Sequence, residues 1–126
     1  MSKFIFIVDD SRTVRASVEY TLKKNGYVVE TAVDGQDGLQ KLEKLQRQGK
    51  RPAMIISDIN MPNLDGIGFI KEVKKKPEFK FVPVLVLTTE SQDKKKMEGK
   101  QAGAAGWLVK PFQPDQLVGV VKKFVR

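Results

Sequence analysis

Phe4-Ile5-Phe6-Ile7-Val8-Asp9-Asp10-Ser11 is the stretch whose reading decides the fold. Five apolar residues, three of them β-branched, stop abruptly at two carboxylates and a hydroxyl. The run is too short for a helix. It also lacks the polar alternation of a strand with one wet face, so it reads as a strand covered on both sides. Four more short runs follow: Tyr27-Val28-Val29, Ala53-Met54-Ile55-Ile56, Val84-Leu85-Val86-Leu87 and Trp107-Leu108-Val109. Each is bounded by Gly, Pro or Asp, the residues that punctuate strands.

Between the runs, apolar residues recur at helical spacing. Val14, Val18 and Leu22 form one stripe, and Leu39, Leu42 and Leu45 a second. Ile67, Ile70 and Val73 form a third, and Leu117, Val121 and Phe124 mark the last helix. Ser11 and Asp34 suit N-caps, Pro114 a first helical position, and Gly26 the end of the first helix. Ser91–Gln101 is the poorest helical segment, with Met97 almost its only large apolar anchor, and is expected to pack loosely. Five β-α units in strict alternation imply a parallel sheet with right-handed crossovers and helices on both faces. The fold class is therefore α/β, a doubly wound three-layer sandwich.

Composition sets limits. At 126 residues and 14.2 kDa the chain makes one domain, 1–126, large enough for a real core. It has no Cys and no His. Disulfides, thiolate nucleophiles, a Ser-His-Asp triad, zinc sites and an internal phosphohistidine relay are thereby excluded. No apolar run reaches membrane-spanning length, and Met1-Ser2-Lys3 leads into too few apolar residues for a secretory leader. A cytoplasmic protein is expected. The net charge of +8 favours acidic partners or nucleic acid in general terms and says nothing about fold.

The residues just after the strands carry the functional signal. Asp9-Asp10 follow the first run, Asp58 the third, Thr88-Thr89 the fourth and Lys110-Pro111 the fifth. In a parallel sheet all these ends lie on one edge, where ligands bind. Taken singly, each residue has an ordinary role as turn former, cap, β-former or solvated charge. Together they place three carboxylates, a hydroxyl and an ammonium at one spot. Carboxylates packed this closely repel, and a divalent cation relieves the repulsion. With oxygen ligands alone, Mg²⁺ is indicated, with Mn²⁺ an acceptable substitute. A metal-bound carboxylate beside Lys and Thr is a phosphoryl site, and one Asp can serve as nucleophile.

These residues resemble the receiver domain of two-component response regulators. The likeness runs from Phe4–Ser11 through Ile56-Ser57-Asp58-Ile59-Asn60-Met61-Pro62-Asn63-Leu64-Asp65-Gly66 and Leu87-Thr88-Thr89-Glu90 to Gly106-Trp107-Leu108-Val109-Lys110-Pro111-Phe112. It takes up essentially the whole chain and leaves no room for an output domain. The resemblance implies a flavodoxin-like sheet of order 2-1-3-4-5. It makes Asp58 the phosphoacceptor. Asp10, Asp58 and the main-chain carbonyl of Asn60 become metal ligands, with Asp9 acting through water. It gives Thr88 and Trp107 switch roles and Lys110 the pairing with phosphate. Asn60 and Glu90 would tune dephosphorylation, and the Lys110-Pro111 bond would be cis.

Within the family, Thr88-Thr89-Glu90-Ser91-Gln92 and Gly103-Ala104-Ala105-Gly106-Trp107 resemble single-domain chemotaxis regulators of the CheY type. Trp107 stands where Tyr or Phe is usual, and many receivers are acidic rather than basic. The implied partners are a histidine kinase as phosphodonor and a downstream protein target such as the flagellar motor switch. Membrane and nucleic acid are not expected partners, and a monomer is. The chain is not expected to be an enzyme beyond its own phosphorylation and dephosphorylation. A phosphorelay intermediate or phosphate sink is the alternative within the class.

Three readings from other classes fare worse. Aspartyl-phosphate phosphatases need a second Asp two residues beyond the nucleophile, which the Asp9-Asp10-Ser11 spacing does not supply. A flavodoxin-like cofactor site needs a Ser/Thr/Gly-rich loop where this chain has two carboxylates. A basic nucleic-acid-binding module would draw on Lys74–Lys76, Lys94–Lys96 and Lys122-Lys123, which read as solvated helix faces without interleaved aromatics.

Overall fold

The apolar runs become five parallel strands: β1 (Phe4–Val8), β2 (Val28–Ala32), β3 (Met54–Ser57), β4 (Val84–Thr88) and β5 (Gly106–Val109). Their order in the sheet is β2-β1-β3-β4-β5. The computed structural model describes residues 4–125, so the leader reading of Met1–Lys3 lies outside the described residues. The helices are α1 (Arg12–Lys24), α2 (Gly35–Arg47), α3 (Gly66–Lys75), α4 (Asp93–Ala102) and α5 (Pro114–Phe124). A 3-10 turn, Pro77–Phe79, precedes β4 in a stretch with no apolar periodicity to signal it.

The core divides into two layers, one on each face of the sheet. Phe6, Val8, Ile55, Val84 and Val86 point to one side, against Leu42, Phe69, Ile70 and the buried Phe79. Ile5, Ile7, Ile56, Leu85 and Leu87 point to the other, against Val18, Leu22, Leu117 and Val121. Alternate residues of one strand thus serve opposite layers, which is why β1, β3 and β4 read as unbroken apolar runs.

Caps behave as their residue types dictate. The Ser11 hydroxyl accepts the Val14 N–H and the Asp34 carboxylate accepts the Asp37 N–H. Gly26 takes φ +91° just past α1, and Pro114 sits in the first turn of α5. The Lys110-Pro111 bond is cis.

Three expectations need correction. The second strand runs on through Glu30-Thr31-Ala32 and excludes Tyr27; as an edge strand it keeps one wet face, which hides the signal. Met97 does not anchor α4, being 57% exposed on the outer side. The helix instead sets Gly99, its one fully buried residue, against the ring of Trp107, where a Cβ would come 2.7 Å from Cζ3. Lys74 is not a solvated charge. Its stem crosses Gly103 and its ammonium donates to the carbonyls of Val82 and Lys80 at 2.5 and 3.1 Å. That burial lowers its pKa.

Candidate functional site

Strand register brings the acidic residues together. Val8 pairs with Ser57, so the next residues, Asp9 and Asp58, emerge side by side at the C-terminal edge of the sheet. The ladder extends one step further, with Asp58 N–H bonded to the Val8 carbonyl at 3.0 Å. On the other side Thr88 pairs with Val109, and the Lys110 N–H donates to the Thr88 carbonyl at 2.7 Å. Three central strands and one edge strand thus deliver Asp9, Asp58, Thr88 and Lys110 to one place. Asp10 completes the group: one carboxylate oxygen from each of Asp9, Asp10 and Asp58 lies within 4.8 Å of the others.

Asp9 and Asp58 are only 2% and 8% exposed, whereas Asp10 faces solvent. The Lys110 ammonium lies between the two buried carboxylates, 2.8 Å from Asp9 Oδ2 and 2.9 Å from Asp58 Oδ2. Each remaining oxygen is held by main chain. Asp9 Oδ1 accepts the Ser11 N–H at 2.8 Å, and Asp58 Oδ1 accepts those of Ile59 and Asn60 at 2.6 and 3.3 Å. Arg15 secures the Asp9 carbonyl at 2.6 Å, a contact that helical spacing alone did not mark.

Burial pushes the Asp9 carboxyl up, against the opposing pull of Lys110 and the Ser11 N–H. For Lys110, burial works to lower the pKa. The two carboxylates outweigh it and raise the ammonium above the ordinary lysine value. Three carboxyl groups thus converge on one fixed cation. The donors of the cluster are all hard oxygens, which fits a divalent cation such as Mg²⁺ and not a thiolate- or imidazole-preferring metal.

The switch candidates form a chain leading away from this cluster. Thr88 is fully buried, and its hydroxyl accepts the Glu90 N–H at 3.3 Å. The Glu90 carbonyl accepts the indole N–H of Trp107 at 3.0 Å. Trp107 is consequently half-buried, not exposed as a freely rotating aromatic would be at rest. Asn60 is exposed and Glu90 half-buried at the rim.

The loop between β3 and α3 closes on itself through the Gly66 N–H to the Ile59 carbonyl at 2.8 Å. Gly66 is required there, because a Cβ would run into the Asp58 carbonyl. Asp65 caps α3 through the Gly68 N–H at 2.7 Å, a cap the sequence reading passed over although Asp-Gly before an apolar stripe signals one.

With the geometry in place, comparison with known proteins is direct. A profile described as the response regulator receiver domain matches residues 5–122. The alkaline phosphatase synthesis transcriptional regulatory protein PhoP of Bacillus subtilis is 33% identical over 126 residues; the match takes all of this chain and half of that protein. The chemotaxis protein CheY4 of Vibrio cholerae superposes with a TM-score of 0.91 at 44% identity, covering 99% of this chain and 100% of that one. The receiver domain of a sensor histidine kinase from Pseudomonas aeruginosa, solved with a magnesium ion coordinated in its active site cleft, superposes at 0.85 with 26% identity, covering 98% of each.

Proposed function

Because this chain belongs to the response regulator receiver family, we propose that it is a phosphorylation-controlled switch that takes a phosphoryl group onto Asp58 from a partner histidine kinase. The observation that carries this reading is the Lys110 ammonium held between the buried carboxylates of Asp9 and Asp58. Asp58 Oδ1 is engaged by two main-chain N–H groups, which leaves Oδ2 as the attacking atom. Oδ2 bonds to phosphorus as the P–N bond of the donor phosphohistidine breaks, and the electron pair leaves with the imidazole. Lys110 then transfers its ammonium from Oδ2 to a phosphoryl oxygen, a short movement for a flexible stem. Asp10, Asp58 and the Asn60 carbonyl would hold Mg²⁺, with Asp9 acting through water, and the bound ion would supply the remaining neutralising charge; Mn²⁺ meets the same oxygen preference. Its support is the all-oxygen donor set and the magnesium-bound relative.

Signalling follows from Thr88. Turning its hydroxyl to the phosphoryl group forfeits the Glu90 N–H bond and loosens the carbonyl that holds Trp107. The indole then repacks, and the surface formed by α4, β5 and α5 changes shape. That surface carries a shallow depression lined by Lys96, Lys100, Ala104 and Trp107, which suits an acidic target segment steered by charge. The likeness to a chemotaxis protein makes the flagellar motor switch the first target to test. Asn60 and Glu90 flank the approach of hydrolytic water and set the lifetime of the phosphoryl group. The chain acts on no substrate beyond itself. Among the described residues no helix is long and apolar enough to cross a membrane.

The direct assay mixes the chain with an autophosphorylated histidine kinase of the chemotaxis type carrying radiolabel. Label should move to this chain in Mg²⁺ and stay on the kinase in chelator. Retention on the kinase under both conditions would refute the pairing.

A further inference from the structure

Asp34 and Asn63 lie far apart in sequence, yet the Asn63 amide donates to Asp34 Oδ2 at 2.8 Å. Asp34 is simultaneously the N-cap of α2, its Oδ1 accepting the Asp37 N–H at 2.7 Å. Asn63 is the only non-glycine residue with positive φ among the described residues, at 70°. Asn tolerates that left-handed conformation, and here it directs the side chain across to the neighbouring loop. A second contact reinforces the first: Gly35 packs so closely on the Leu64 carbonyl that a Cβ would stand 2.5 Å from its oxygen. The tip of the β3-α3 loop is therefore pinned to the start of α2. The root of the same loop supplies the Ile59 and Asn60 N–H groups that hold Asp58 Oδ1.

We propose that the Asp34-Asn63 pair is a latch that positions the β3-α3 loop, so that Ile59 and Asn60 keep the Asp58 carboxylate aimed for phosphorylation. Asp34 and Asn63 are positioning residues and touch no reacting atom. The inference rests on the Asp58 reading above. Without the latch, the loop stays tied at its root through Gly66 but loses its hold at the tip. The N–H groups at Ile59 and Asn60 then sample orientations that do not fix the carboxylate.

Three variants separate positioning from mere stability. Asn63→Gly keeps the left-handed backbone accessible and removes only the amide. Asn63→Asp sets a second carboxylate against Asp34. Asp34→Asn combined with Asn63→Asp reverses the bond: the new amide at 34 donates to residue 63 while its oxygen still caps α2, and the net charge of the pair is that of the wild type. Each is read well below its melting temperature in two ways: amide hydrogen exchange at Ile59 and Asn60 without any donor, and the rate of phosphorylation by acetyl phosphate with Mg²⁺. The two single variants should exchange faster and phosphorylate about fivefold more slowly, the net worth of one typical intramolecular hydrogen bond. The swap should return both to within roughly twofold of wild type. Unchanged exchange and rate in Asn63→Gly, faster exchange with an unchanged rate, or a swap as slow as Asn63→Asp would each overturn the latch. A wild type that takes up no phosphoryl group would instead overturn the Asp58 reading, and the exchange data would still decide whether the pair orders the loop.

Discussion

Replacing Lys110 by Met keeps much of the stem and deletes the charge, and the structure sets the size of the effect. Two charge-assisted hydrogen bonds of 2.8 and 2.9 Å disappear, and the carboxylates left behind are 2% and 8% exposed. Removing one partner of a buried pair costs about 3–5 kcal/mol. Each carboxylate keeps a main-chain donor on its other oxygen, so the lower end applies, about 3 kcal/mol or roughly 12 °C in Tm for a domain of this size. The cost depends on pH with a definite sign. Burial already raises the Asp9 pKa above its unfolded value, so the folded state binds that proton more tightly than the unfolded chain. Stability therefore falls as pH rises through the window between the two values. Without Lys110 the folded value climbs further and the window widens. The gap between variant and wild type should shrink as pH falls into the ordinary carboxylate range and be larger at neutral pH. Thermal unfolding in EDTA, followed by circular dichroism across that range, measures it. Added Mg²⁺ should narrow the gap at neutral pH. Equal melting temperatures in EDTA at neutral pH, or a gap that does not shrink in acid, would refute the electrostatic account of the cluster.

Other outcomes follow from single contacts. Asp10→Ala removes one of few protein ligands, so Mg²⁺ affinity by calorimetry should fall on the order of tenfold or more, while the metal-free variant gains stability as carboxylate repulsion drops. Gly66→Ala forces a methyl into the Asp58 carbonyl and should cost about 1–3 kcal/mol in urea unfolding, with phosphorylation slowed in the folded fraction. Gly99→Ala presses on the Trp107 ring, so the indole should leave the Glu90 carbonyl; a red-shifted emission with greater iodide quenching is expected, and an unchanged spectrum counts against the packing described.

Much of the fold was legible because burial on both faces writes itself into sequence. Phe4–Val8 was read to the residue, since every position from Ile5 to Val8 faces a core layer. Edges were harder. Residues Glu30 and Thr31 belong to β2, yet the outer face of an edge strand asks nothing apolar of them. Helix α4 has no apolar stripe because its fixing contact comes from outside, from the indole against Gly99. Phe79 is fully buried but sits in a 3-10 turn with no periodicity to announce it.

The same contrast holds at the site. Asp9, Asp58, Thr88 and Lys110 could be grouped because parallel strands end on one edge, whatever the strand order. Which atoms they touch could not be read that way. The two carboxylates that share the Lys110 ammonium, for instance, are identified by no spacing in the sequence. The Asp34-Asn63 link joins two loops through the sheet order, so no local pattern contains it. Arg15 escaped notice because its partner is a main-chain carbonyl, which carries no sequence identity.

The central claim is that Asp58 carries the phosphoryl group. The most direct measurement is intact mass followed by peptide mapping after incubation with Mg²⁺ and acetyl phosphate, for wild type and for Asp58→Asn. The account requires the mass of one phosphoryl group on the wild type, located in the peptide containing Asp58, lost in EDTA and absent from the variant. Equal labelling of Asp58→Asn, or a wild-type label mapped to any other residue, would contradict it.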